Sequence, residues 1–193
     1  MNKAVFLDRD GTINEEMGYI NHISRFVIFD FVPEAIRILN EGGFKVVVVT
    51  NQSGVARGYF DEQLVKEVHK KLIEKVEQAG AHIDGIYYCP HHPREGKPPY
   101  RLDCECRKPK TGMIQKAKDA LNIDINRSFI IGDRYKDIEF GYKAGLRPVM
   151  VLTGYGRGEY MYQQKQWQRM PEKICANLLE AVQWIIKQDE KNN

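Results

Sequence analysis

With 193 residues, 42% of them apolar and 28% charged, the chain has the composition of an ordinary soluble globular protein, long enough to bury a core but short for two full domains. A net charge of only +3 gives no case for bulk nucleic-acid binding. The opening MNKAVFLDRDGT lacks the apolar core of a signal peptide, and no later run is long enough to span a bilayer, so a cytoplasmic protein without nucleic-acid or membrane partners is expected, with a monomer as the prior.

In chain order, KAVFL (3–7), FKVVVVT (44–50), IDGIYY (83–88), SFIIG (128–132) and PVMVL (148–152) are β-rich runs without polar alternation, the pattern of strands covered on both faces of a parallel sheet. Helical patterns lie between them. Pro33 marks a first helical position, and the run ends at EGG. Asp61 is an N-cap for a helix carrying Leu64, Val65, Val68, Leu72 and Val76 towards Gly80. Segments 112–122 and 135–145 give two shorter helices, and a helix over 171–187 closes the chain. Strand and helix in repetition predict a single α/β domain over 1–193, Rossmann-like and three-layered, around a central parallel sheet. Two irregular stretches, 11–32 and 89–110, are candidate functional loops.

Ligands of open parallel sheets bind beyond the carboxyl ends of the strands. Here those ends read FLDRDGT, VVTNQSG and IIGDRYKD, which places Asp8, Asp10, Thr50, Asn51 and Asp133 near one edge. Carboxylates gathered there repel one another unless a cation sits among them, and hard oxygen ligands suit Mg²⁺. Two aspartates separated by one residue allow one to attack while the other handles a proton; an isolated D-x-D-G is also a turn former. Arg9 points the other way in an extended segment and is left out of the chemistry. Asp137 is either a carboxylate close to the metal or simply a residue of the next helix's first turn.

DRDGT, TNQSG, the lysine of RKPKTG and GDRYKD resemble, in that order, the four motifs of the haloacid dehalogenase (HAD) superfamily of aspartate-nucleophile phosphatases. The resemblance implies Asp8 as nucleophile, forming an aspartyl-phosphate, and Asp10 as the acid and base. It gives Thr50 and Lys108 the phosphoryl oxygens. Mg²⁺ then falls to Asp8, the Asp10 main-chain carbonyl and Asp133.

Cys89, His91, Cys104 and Cys106 form C-x-H, twelve residues, C-x-C, a ligand set that suits a closed tetrahedral Zn²⁺ site. A redox pair is a poor reading in so polar a loop. His92 rivals His91 on spacing, and only the resemblance favours the first. DRDGTIN, NQSG followed by ARG, and CRKPKTGM look like the heptose 1,7-bisphosphate phosphatases, and histidinol-phosphate phosphatases share the zinc loop (89–106). By that likeness Arg107 contacts the substrate's other phosphate or the sugar, and Glu16, Met17, Gly18 and Tyr19 line the sugar. Asn51, Gln52 and Ser53 belong to the phosphate loop, and Arg134 assists. The implied substrate is a phosphorylated sugar; a non-catalytic zinc-stabilised module is the rival from another class. Only about thirty residues separate Gly11 from the second strand, so no cap domain fits.

The remaining features take plain readings. Cys175 is expected to be buried in the last helix, His69 to face solvent, and GYGRGE (154–159) to be a loop.

Overall fold

A computed structural model of the chain describes residues 1–191; the last two residues of the expected domain lie outside them. The strands are β1 (Ala4–Leu7), β2 (Lys45–Asn51), β3 (Gly85–Cys89), β4 (Phe129–Gly132), β5 (Arg147–Val151) and β6 (Lys173–Cys175). They form one six-stranded sheet in the order β3-β2-β1-β4-β5-β6, and every pairing is parallel. The chain builds outward from β1 through β2 to β3, then crosses back to β4 on the other side of β1. That reversal opens a crevice beyond the carboxyl ends of β1 and β4. Among the described residues no cap domain stands over it.

The helices are α1 (Val32–Glu41), α2 (Glu62–Glu77), α3 (Gly112–Leu121), α4 (Tyr135–Ala144), α5 (Gly156–Gln163) and α6 (Leu178–Lys191). Strand alternation divides the core. Val5 and Leu7 of β1 pack in one cluster with α1, α2 and α6 residues such as Ile36, Leu72 and Val182. Ala4 and Phe6 point the other way, to Met113 and Ile114 of α3 and Phe140 of α4. Side chains alternating across a strand place every second residue on the same face, and both faces are buried, so the strands carry no polar stripe.

Two segments differ from the sequence expectation. The stretch read as a closing helix from 171 contains a sixth strand, β6, and the helix begins only at Leu178. Cys175 is buried as expected, but in that strand. The GYGRGE stretch, expected as loop, opens α5. Gly156 sits so close to the Val151 carbonyl that a Cβ would collide with it, which explains a glycine at the head of this helix better than any nucleotide-loop pattern does.

The turn after β1 sets where its aspartates lie. Gly11 has φ +81°, and a Cβ there would overlap the Asp133 carboxylate; the glycine is needed both for the backbone and for the approach of β4's end. Gly80, past the end of α2, also has a positive φ but open space around it. Gly80→Ala is therefore expected to cost roughly 1–2 kcal/mol, the left-handed backbone penalty alone, and Gly11→Ala distinctly more. Urea unfolding midpoints of the two variants check this, and equal losses would show that Asp133 does not press on the turn.

Candidate active site and cysteine cluster

Lys108 is the centre of the site. It is 3% exposed, and its Nζ donates to Asp8 Oδ1 at 2.8 Å, to Asp137 Oδ1 at 2.7 Å and to the Val49 carbonyl at 3.1 Å. All three ammonium protons are thus used. The main chain of Lys108 is gripped by Asn51, whose side chain accepts from the Lys108 N–H at 3.0 Å and donates to its carbonyl at 3.3 Å. The end of β2 thereby fixes the lysine at the end of β1. Asp137 lies in the first turn of α4, as one of the two sequence readings has it, and accepts there from the Arg134 N–H at 3.3 Å; it also holds Lys108.

One lysine faces three carboxylates. Asp8, Asp133 and Asp137 are buried and bring ligand oxygens within 4.8 Å of one another. Burial, followed by the negative charge of Asp137, pushes the Asp8 carboxyl up to about 7 against the pull of Lys108. Burial, with Asp8 and Asp137 beside it, pushes Asp133 up to about 9. One Asp133 oxygen accepts from the Tyr155 N–H at 2.8 Å, while Oδ1 is buried without a partner. An orphaned carboxylate oxygen among repelling carboxylates is the chemistry of a divalent cation site, and the donor set, all oxygen, fits Mg²⁺.

Asp10 is held apart from this group. It accepts from Arg9 Nη2 at 2.9 and 3.0 Å, Asn14 Nδ2 at 3.0 Å and Gln52 Nε2 at 2.8 Å. Burial alone would raise its pKa, but the Arg9 guanidinium and these donors bring it below the usual value. This corrects the expectation for Arg9. Its side chain does point to the α2 face, yet from there it is 1% exposed and reaches back to hold Asp10. His69, expected in solvent, is 7% exposed and lies 3.3 Å from Arg9.

A cavity of about 290 Å³ opens over these groups, lined by Asp8, Asp10, Thr50, Lys108 and Asp137 at its floor. Glu16, Gly18, Tyr19, Asn51, Ser53, Arg107, Arg134, Lys136 and Tyr155 complete its wall. Met17 and Gln52 do not line it. The Met17 carbonyl accepts from Arg25 at 2.9 Å, and Gln52 lies beneath, bridging Asp10 and the Thr50 hydroxyl (2.9 Å). Asp133 is fully buried behind the wall. Lys136 was missed in the sequence; burial, then repulsion from Arg107 and Arg134, lowers its pKa. Arg134 donates to Glu159 at 3.0 Å and stacks over the Tyr155 ring, 4.5 Å from its centroid.

The cysteine loop leads directly into this wall. Cys89 Sγ lies 3.4 Å from Cys104 Sγ, which lies 3.0 Å from Cys106 Sγ. His91 Nδ1 is 3.7 Å from Cys89 Sγ and 3.5 Å from Cys106 Sγ. A tetrahedron with Zn–S near 2.3 Å has edges of about 3.8 Å; the sulfur–nitrogen separations come near that, and the sulfur–sulfur ones, at 3.0 and 3.4 Å, are tighter. His92 turns away, to Arg57 at 3.2 Å, so His91 completes the cluster. The next residue after Cys106, Arg107, donates to the His91 carbonyl at 3.0 Å.

Comparison with known proteins agrees with this architecture. The HAD-hydrolase-like family model matches residues 105–181. The D-glycero-beta-D-manno-heptose-1,7-bisphosphate 7-phosphatase of Haemophilus influenzae is 45% identical over 82% of this chain and 88% of its own. The enzyme of that name from Escherichia coli K12 is 43% identical over 78% and 80%. A crystal structure of D,D-heptose 1,7-bisphosphate phosphatase from B. bronchiseptica, complexed with magnesium and phosphate, superposes with a TM-score of 0.83 at 28% identity, covering 96% of this chain and 99% of that one. With its parallel sheet, its carboxylate cluster and these relatives, the chain belongs to the family of HAD-like phosphatases that includes the heptose-1,7-bisphosphate 7-phosphatases.

Proposed function

We propose that this phosphatase is Mg²⁺-dependent and removes the 7-phosphate of D-glycero-D-manno-heptose 1,7-bisphosphate through an aspartyl-phosphate on Asp8, on the route to nucleotide-activated heptose. The observation that carries the choice of substrate is the second cationic group. Arg107, Arg134 and Lys136 line the same cavity as Asp8 and Lys108, so a ligand held there meets cationic groups beyond Lys108. A bisphosphate carries a second phosphate for them. Histidinol phosphate, the rival, would bring a cationic amine to the same groups.

Asp8 attacks phosphorus through a carboxylate oxygen, and the bond from phosphorus to the sugar oxygen breaks as Asp10 gives that oxygen a proton. Water then attacks the acyl phosphate, Asp10 takes its proton, and phosphate leaves with Asp8 regenerated. Arg9 favours the ionised form of Asp10, the state that activates water; the incoming phosphate dianion opposes it and raises the proton affinity for the first step. Thr50 steadies the phosphoryl oxygens, and Lys108, its protons on Asp8, Asp137 and the Val49 carbonyl, supplies positive charge beside them and keeps Asp8 in line. Asp8, Asp133 and the Asp10 main-chain carbonyl would hold Mg²⁺, which when bound offsets the negative charge of the carboxylates and the phosphoryl group. Asp137, already committed to Lys108, stays with the lysine.

Cys89, His91, Cys104 and Cys106 would hold a structural Zn²⁺ that fixes the segment delivering Arg107 and Lys108. Glu16, Gly18 and Tyr19 face the sugar. Among the described residues no helix is long and apolar enough to cross a membrane, in keeping with a small phosphorylated sugar met in the cytoplasm.

Three measurements test this reading. Phosphate release from both anomers of heptose bisphosphate and from histidinol phosphate should favour a heptose bisphosphate by roughly 100-fold in kcat/KM, and a preference for histidinol phosphate would overturn the substrate. Asp8→Asn should lose at least about 1000-fold in kcat; substantial turnover by that variant rules out the covalent step. Cys106→Ser should lower zinc content from about one per chain and reduce kcat/KM with it, whereas zinc loss at full activity would uncouple the knuckle from the site.

A further inference from the structure

The buried imidazole of His69 takes no part in the mechanism above. It lies on α2, seven residues after Glu62 and so on the same helix face. Arg9 Nη1 approaches His69 Nε2 at 3.3 Å, and the ring packs edge-on against Tyr88, with centroids 5.4 Å apart and planes at 63°. The Arg9 guanidinium spends its other two nitrogens on Asp10, Nε at 3.2 Å to Oδ1 and Nη2 at 3.0 and 2.9 Å to the two oxygens. Phe26 lies against it, 5.9 Å from the guanidinium carbon to the ring centroid, and offers no acceptor.

A guanidinium has only donors and keeps its charge. Nε2 of His69 must therefore be the acceptor, which fixes the ring as the neutral tautomer protonated at Nδ1. Buried N–H groups demand partners, so the acceptor on α2 determines how far the fork can swing about the Arg9 side chain. A cation in place of the imidazole would face the guanidinium at contact distance, and an apolar side chain would leave Nη1 unpaired. Burial first, and then the Arg9 charge, lower the His69 pKa to about 3, consistent with a ring that stays neutral while the enzyme works.

We infer that His69 is a positioning residue: through its Nε2 lone pair it aims the Arg9 fork at Asp10 and so orients the carboxylate that faces the leaving oxygen and water in the proposed reaction. The inference rests on the acid–base role proposed for Asp10. It extends the working site beyond the cavity wall to α2. Glu62 of the same helix accepts from Tyr88 at 2.9 Å and from Tyr100 of the cysteine loop at 3.0 Å, so that helix is anchored at two points where the site's loops meet.

The test compares His69→Leu, which keeps bulk without an acceptor, with His69→Gln, whose amide oxygen supplies one. His69→Leu should lower kcat by about tenfold, the worth of one hydrogen bond to a charged group, with KM changed by less than about twofold. His69→Gln should restore most of the kcat. Unchanged kcat in His69→Leu, or a Gln variant as impaired as Leu, overturns the inference. Imidazole ¹⁵N shifts of the unaltered enzyme give a check that no folding defect can blur: an Nδ1-protonated His69 supports it and an Nε2-protonated ring overturns it. Asp10→Asn separates the two levels, because an active Asp10→Asn removes the acid–base reading itself, while a dead Asp10→Asn beside an unaffected His69→Leu removes only the role of His69.

Discussion

A lysine ammonium buried at the junction of four chain segments is the constraint around which the site is built. Lys108 cannot sit there uncharged by choice or charged without partners: desolvating an unpaired ion costs several kcal/mol. Burial alone would lower its pKa, but Asp137 and Asp8 hold it above the usual lysine range. To make those contacts, β1 must end where it does to present Asp8, α4 must start immediately after β4 to present Asp137, and Asn51 must close over the Lys108 backbone. A shift of any of these segments strands a buried charge. The arrangement is therefore a registration device for the strand ends as well as a charge pair.

The same arrangement leaves the site short of positive charge. Lys108 balances part of the Asp8, Asp133 and Asp137 cluster, and Asp133 retains an unpartnered oxygen and a raised pKa. The apoprotein's stability would be improved by a proton or by an apolar replacement. The proposed uptake of a divalent cation and a phosphoryl group needs that imbalance, because preorganised charge assists the reaction only if it is not already neutralised. Asp10 has its own cation, Arg9, which holds its carboxyl below the usual range although its negative charge still helps to raise Asp8. Two aspartates two residues apart in sequence are thus placed in opposite electrostatic surroundings, as the proposed division into nucleophile and proton carrier requires.

Much of this was legible in the sequence because it lies at strand ends. Apolar runs followed by DRDGT, TNQSG and GDRYKD give both the sheet and the edge at which polar groups gather, and the cysteine spacing isolates one loop. What escaped depends on contacts that no local pattern encodes. β6 has three residues, too few to show a period, and the helical apolar spacing of its neighbours ran over it. Gly156 and Gly158 depress helix propensity, yet α5 starts at Gly156, where a Cβ would collide with the Val151 carbonyl. Lys136 precedes Asp137 in the first turn of α4 and reads as an ordinary surface lysine until the fold brings it near Arg107 and Arg134 in the cavity lining.

His69 is a different case, since its burial was signalled. It follows Val65 by four positions and precedes Leu72 by three, both on the apolar face of α2, so helical periodicity places it inwards. The charged neighbours Lys66, Glu67, Lys70 and Lys71 masked that position without altering it. Arg9 was placed on the correct face by strand alternation and then dismissed, on the premise that facing away from a carboxylate means not touching it. A long side chain undoes that premise: the guanidinium lies several bonds from its Cα and can turn back to a neighbour. Without Arg9 the buried imidazole would lose its donor, and without His69 the Arg9 Nη1 would lose its acceptor while Nε and Nη2 stay on Asp10. Together they satisfy one another, which is why a buried arginine and a buried histidine occur in this protein as a pair, and why the apolar layer between β1 and α2 tolerates polar groups beside the proposed reaction centre.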